Sequence, residues 1–271
     1  MIAGPFQVDY LNMGHIRLDG GAMFGVVPKV LWSRTNPPDE KNRIDLACRG
    51  LLLRGDGRTV VVDTGAGSRW TDKERSRYGM SDRDVVDALH DYGLTPGDVT
   101  DVLLTHLHFD HAGGAVTPDE KPTFPNAEYV VQERALEWAR NPTDRDRASF
   151  RKGDFEPLCK AGQLRCVDGE LEVLANIRVL LSEGHTTALQ IPVIGETVIY
   201  PADLIPTSTH LPPAWVMAYD IRPTVSVAEK KKVLDMAVDQ QWTVVFEHDP
   251  VIAAATIEKS EGRYAVRAVV S

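Results

Sequence analysis

The chain has 271 residues, 43% hydrophobic and 25% charged, a globular composition that argues against a disordered, collagenous or coiled-coil protein. At a prior of roughly 150 residues per domain it forms one large domain or two small ones. Lys and Arg number 30 against 39 Asp and Glu, a formal charge of −9. A surface this acidic repels phosphate backbones and anionic membranes, so neither a nucleic acid nor a membrane is expected as partner.

The N-terminal residues Met1, Ile2 and Ala3 open no basic cluster followed by an apolar run, so no secretory leader is expected. No apolar stretch approaches the ~20 residues needed to span a bilayer; the longest, 251–257, is bounded by Pro250 and Glu258. Cys48, Cys159 and Cys166 are odd in number and lack C-x-x-C spacing, which points away from a disulfide framework or thiolate zinc site and toward a reducing cytoplasm.

In chain order, 6–18 reads as extended chain. Next comes 19–32, an apolar, Gly-rich stretch suited to a buried crossover, a pocket wall or a dimer interface. Residues 45–53 and 59–62 read as strands around the turn Gly55-Asp56-Gly57. The period then changes: 82–92 sets Val85, Val86 and Leu89 on one helical face and stops at Gly93, ahead of the apolar strand 102–104. A helix is expected over 132–140, and 141–157, polar and aperiodic, is a solvated loop or a lid. Four short strands follow at 171–174, 177–181, 190–193 and 198–200, with Gly195-Glu196 as a hairpin turn. The helix 227–238 and the strand 243–246 complete an alternation of α/β class without solenoid repeats.

The strongest signal is Thr105-His106-Leu107-His108-Phe109-Asp110-His111, four metal-ligand side chains directly after an apolar strand. In extended chain His106 and His108 point to one side, and a turn at Asp110 lets Asp110 and His111 face a second position, which suits two metals. Further ligands must come from elsewhere in the chain. His185, Asp203 and His248 each follow a strand-like run, where loops gather function on a rigid scaffold.

H-x-H-x-D-H, then Gly184-His185-Thr186, an Asp after a strand and a late His resemble the motif series of the metallo-β-lactamase superfamily of hydrolases. Val61-Val62-Asp63-Thr64-Gly65 resembles its early strand-turn Asp. The resemblance covers about 45–270 and implies a four-layer αβ/βα sandwich with a dinuclear centre between the sheet edges. His106, His108 and His185 would hold the first metal, Asp110, His111 and His248 the second, and Asp203 would bridge, with Asp63 orienting a ligand from behind. Two divalent ions are implied, zinc first, with manganese, iron or cobalt as alternatives. Because the ligands run from 106 to 248, both halves of the chain build one site, and 1–271 is read as a single domain.

Within the superfamily, 19–32, 203–207, His210 and 215–220 resemble quorum-quenching N-acyl-homoserine lactonases, particularly a bacillary branch. The resemblance implies attack of metal-bound hydroxide on a lactone carbonyl, with Asp110 carrying the proton to the leaving alkoxide. Two departures stand out. Pro206 occupies the place of a Tyr that bonds the substrate carbonyl, and Thr187-Ala188-Leu189 replaces Pro-Gly-His after the Gly-His-Thr motif. His210 and Tyr219 are therefore the candidate replacement donors. The alternatives are a phosphotriester, aryl ester or thioester hydrolase of the same fold, or a non-catalytic metal-binding protein on a degenerate hydrolase scaffold. A small ester or lactone is the expected partner, and a homodimer stays open.

Overall fold

The computed structural model describes residues 1–270. Among these residues fourteen strands form two seven-stranded sheets. The first takes β1 (Ile2–Ala3), β2 (Phe6–Asp19), β3 (Arg43–Gly55), β4 (Arg58–Val62), β5 (Asp101–Leu103), β6 (Glu128–Gln132) and β7 (Leu164–Val167) side by side in sequence order. Its strands are antiparallel as far as β4 and parallel from there on. The second takes β8 (Glu172–Leu174), β9 (Ile177–Ser182), β10 (Leu189–Ile194), β11 (Val198–Ile199), β12 (Thr243–Val245), β13 (Ala254–Ser260) and β14 (Arg263–Val270). Only β11 and β12 run parallel there, and the helix Pro223–Asp239 makes their crossover.

Period-two alternation assigns each strand's faces. Leu51, Leu53, Val60 and Val62 point into the core between the sheets, whereas Leu52 and Val61 point outward. Val85, Ala88 and Leu89 of the helix Val85–His90 pack in that outer core. Val233, Leu234 and Ala237 of Pro223–Asp239 cover the second sheet. The chain thus has the four-layer αβ/βα sandwich implied by the motifs.

Local chemistry explains where expected boundaries move. The helix expected over 82–92 starts at Val85 because Asp84 caps the Val86 and Asp87 amides and Asp87 answers with a reciprocal bond. Val86 is only half-buried, and Ala88 takes the core position in its place. The helix expected over 227–238 begins at Pro223, whose ring suits a first helical turn. At the hairpin between β3 and β4, Asp56 and Gly57 both have positive φ, 52° and 69°, as a two-residue turn matched to strand twist requires.

Residues 19–32 divide into two short helices, Gly20–Phe24 and Lys29–Trp32. Phe24 and Trp32 are buried and stacked, whereas Val26 and Val30 face outward. The segment 141–157 folds into 3₁₀ turns, and its Phe150 bridges by backbone to His108, so this segment covers the site. No helix among the described residues is long and apolar enough to cross a membrane.

Candidate metal centre

Asp63 directly follows β4 with φ 56°, a left-handed conformation that costs a non-glycine residue roughly 1 kcal/mol. Its carboxylate accepts from the Thr105 amide and hydroxyl, both at 2.7 Å, and so ties the loop after β4 to the loop after β5. That loop carries His106, and His108 then starts the short helix Phe109–Ala112, which supplies Asp110 and His111. From the opposite sheet, His185 follows β9, Asp203 sits in the 3₁₀ turn Ala202–Leu204 after β11, and His248 follows β12. Ala202 is also left-handed, φ 45°, which turns Asp203 toward the cluster.

All seven side chains meet in one buried cluster. Asp203 lies at its middle, with Oδ2 at 3.0 Å from His185 Nε2 and 3.5 Å from His111 Nε2, and Oδ1 at 3.2 Å from His248 Nε2. His108 Nδ1 is 3.1 Å from His185 Nε2. Asp110 lies 3.9 Å from His111 Nε2 and 3.8 Å from His248 Nε2.

The outer ring nitrogens are anchored. His106 Nδ1 meets the Thr105 hydroxyl at 3.1 Å, His111 Nδ1 meets Asp63 at 3.0 Å, His185 Nδ1 meets Asp220 at 2.9 Å, and His248 Nδ1 donates to the Ala47 carbonyl at 2.7 Å. Such partners fix tautomer and ring orientation and aim the other nitrogen inward. Sequence reasoning placed Asp63 behind the ligands but gave no role to Asp220 or Glu247. Asp220 lies far along the chain from His185 and carries no local signal. Glu247, fully buried with Oε2 at 3.1 Å from His111 Nδ1, could have been suspected from Glu-His-Asp after an apolar strand.

The donor set fits divalent cations. His106 Nε2, His111 Nε2 and Asp203 Oδ1 are buried without a hydrogen-bond partner, an arrangement folded proteins avoid unless a ligand completes it. Asp63, Asp110, Asp203, Asp220 and Glu247 crowd five imidazoles in a buried space, and so many carboxylates need cations or protons beside them. Burial and neighbouring imidazoles hold the pKa of His106 and His108 well below 6.5, the neutral state a ligand requires. For His185 burial also works against the charge, but Asp203 and Asp220 outweigh it and lift the pKa to about 10. His248 rises to about 9 against the same burial, through Glu247 and Asp203.

The cluster floors a cavity of about 110 Å³ whose walls include Leu18, Met23, Tyr78, Phe109, Met217 and Tyr219. The Tyr219 phenol has no hydrogen-bond partner among the described residues. Its burial, with the Asp110 and Asp19 charges nearby, raises its pKa and keeps it a donor. His210 corrects an expectation. It is fully buried and outside the cavity wall, with Nε2 donating to the Met23 carbonyl at 2.8 Å and Nδ1 facing the Thr207 hydroxyl at 2.7 Å. Burial holds its pKa near 3, so the neutral ring has one proton, and Met23 already takes it.

Compared with known proteins, residues 44–248 match the metallo-beta-lactamase superfamily. A solved probable metal-dependent hydrolase from Staphylococcus aureus is 30% identical with a TM-score of 0.90, each chain covered to 100%. A dizinc quorum-quenching lactonase solved with a product, N-hexanoyl-L-homoserine, has a TM-score of 0.83 at 20% identity, covering 100% of this chain and 97% of that one. An N-acyl homoserine lactonase of Agrobacterium fabrum is 29% identical over 113 residues, 38% of this chain and 40% of the relative. The chain spans about half the length of the curated lactonases it matches. With a family match across most of its length, the paired sheets and the His/Asp cluster between their edges, the chain belongs to the metallo-beta-lactamase superfamily.

Proposed function

We propose that the chain is a metal-dependent hydrolase that opens lactone rings of the N-acyl-homoserine type, acting as one domain over 1–271. The observation that carries this reading is a buried His/Asp cluster at the floor of a largely apolar cavity, polar where an ester would react and greasy where an acyl chain would lie. Relatives named N-acyl homoserine lactonases support the choice of lactone among esters.

His106, His108 and His185 would hold one divalent cation, Asp110, His111 and His248 the other, and Asp203, between His185 and His248, would serve both. Zinc is the first choice for such a nitrogen and oxygen donor set. Bound there, the pair would acidify a shared water and polarise the carbonyl under attack. The protein's own groups do the rest. Asp110 borders both the cluster and the cavity, so its carboxylate can take a proton from the water and return it to the leaving alkoxide. Tyr219 donates a hydrogen bond from its phenol to the substrate oxygen that gains charge, the role vacated at Pro206. Phe150, 4.6 Å from the His108 ring, and the Met23 and Met217 side chains set apolar surface beside the cluster.

The test is proton release from a long-chain N-acyl-homoserine lactone at neutral pH, with metal-loaded and chelator-treated protein side by side. Metal-dependent release is expected. No release from protein carrying two metals per chain overturns the lactone assignment and moves the search to phosphotriesters and thioesters.

A further inference from the structure

Glu247 is a costly residue with no counterpart in the scheme above. Its side chain has no exposed surface, and neither carboxyl oxygen has a hydrogen bond of good geometry. Burying such a group without full compensation opposes folding. His111 Nδ1 lies 3.1 Å from Glu247 Oε2, and the Tyr200 phenol stands beside the same carboxyl group. The same nitrogen lies 3.0 Å from Asp63 Oδ2, so two carboxyl groups converge on one imidazole N–H.

Asp63 and Glu247 differ in what else they touch. Asp63 also accepts both bonds from Thr105, whose hydroxyl meets His106 Nδ1 at 3.1 Å. Its network therefore reaches a ligand of each metal position. Among the ligand imidazoles, Glu247 makes its close contact with His111 alone, and its backbone neighbour His248 is anchored independently on Ala47. A second carboxyl group behind His111 makes Nε2 a stronger electron donor and holds the ring against rotation.

We infer that Glu247 is a positioning residue that selectively strengthens the metal position built from Asp110, His111 and His248, and so sets the two positions apart in affinity. The inference rests on the two-metal reading above. Asp63 steadies the whole centre, and Glu247 biases one half of it.

The experiment is stepwise chelator competition on zinc-loaded full-length protein, paired with the visible absorption of the cobalt-substituted form. Glu247→Gln keeps the volume and removes the charge. It is expected to weaken one of the two metals by roughly 10–100-fold and leave the other as in the parent, with one of the two cobalt signatures altered. Asp63→Asn is expected to weaken both. Should Glu247→Gln fail to fold, Glu247→Met, a near-isosteric apolar replacement, gives the same comparison. If the parent binds fewer than two metals, the two-metal reading fails first. If it binds two and the Glu247 variants release both as the parent does, or weaken both alike, the selective role of Glu247 is wrong.

Discussion

His210 and Tyr219 share one loop, and in the sequence both are polar aromatics placed to replace a missing donor. What separates them is tertiary. A carbonyl from the N-terminal segment reaches His210 and takes its only proton, and Phe24 stacks on the ring at 4.6 Å. Tyr219 meets no such partner and keeps its hydroxyl for the cavity. Tyr219→Phe is expected to lower kcat on a lactone about 10–100-fold, since a hydrogen bond to a charged group is worth about 1.5–3 kcal/mol, with both metals retained by elemental analysis. His210→Ala should instead cost about 2–3 kcal/mol of stability by urea unfolding, because it strands the Met23 carbonyl and the Thr207 hydroxyl. Its kcat should change less than threefold while it is folded. The opposite pattern would exchange their roles. Four of the seven candidate ligands stand together in H-x-H-x-D-H and the other three each follow a strand-like run, whereas Asp220 meets His185 only across the fold and leaves no spacing to read.

At the scale of elements, strands with short apolar runs were legible, as with β3, where consecutive Leu51, Leu52 and Leu53 divide between two cores. The capped helix Asp72–Tyr78 was missed because it buries no side chain fully and so has little apolar period to detect. The helix Pro223–Asp239 was found, but periodicity does not reveal that it buries a charged residue. Lys230 is 1% exposed and donates to the carbonyls of His210 and Trp215, which holds the loop behind the cavity wall. Burial lowers its pKa to about 7, against a smaller opposing pull from Asp220. The folded state therefore binds this proton less tightly than the unfolded chain, whose lysine pKa is about 10.4, and stability rises with pH between these values. Urea midpoints of the parent are expected to climb relative to Lys230→Met from pH 7 to pH 10. Parallel profiles would mean that the ammonium keeps an ordinary pKa in place.

Taken as a whole, the molecule draws its seven candidate ligands from both sheets, four from the segment after β5 and three from those after β9, β11 and β12. A cation pair held as proposed would therefore crosslink the two halves of the sandwich as well as serve chemistry. At free metal about 1,000-fold above Kd this adds about 4 kcal/mol, or a rise in Tm of roughly 10 °C for a chain of this size. The pH dependence follows from the protons that metal must displace. In metal-free protein His185 and His248 have folded pKa values of about 10 and about 9, above the 6.5 of an unfolded histidine. Their contribution is therefore fully present below pH 6.5 and is lost as pH rises through 9 to 10. Binding metal releases those protons, so apparent metal affinity rises up to about tenfold per pH unit for each proton displaced. The gap in Tm between zinc-loaded and chelator-treated protein is thus expected to widen from pH 6 to pH 9 in scanning calorimetry, with proton release on zinc addition at pH 7.5. A gap that stays constant, with no protons released, would mean that the metal-free cluster already holds its imidazoles neutral, and would remove protonated His185 and His248 as competitors of the cations.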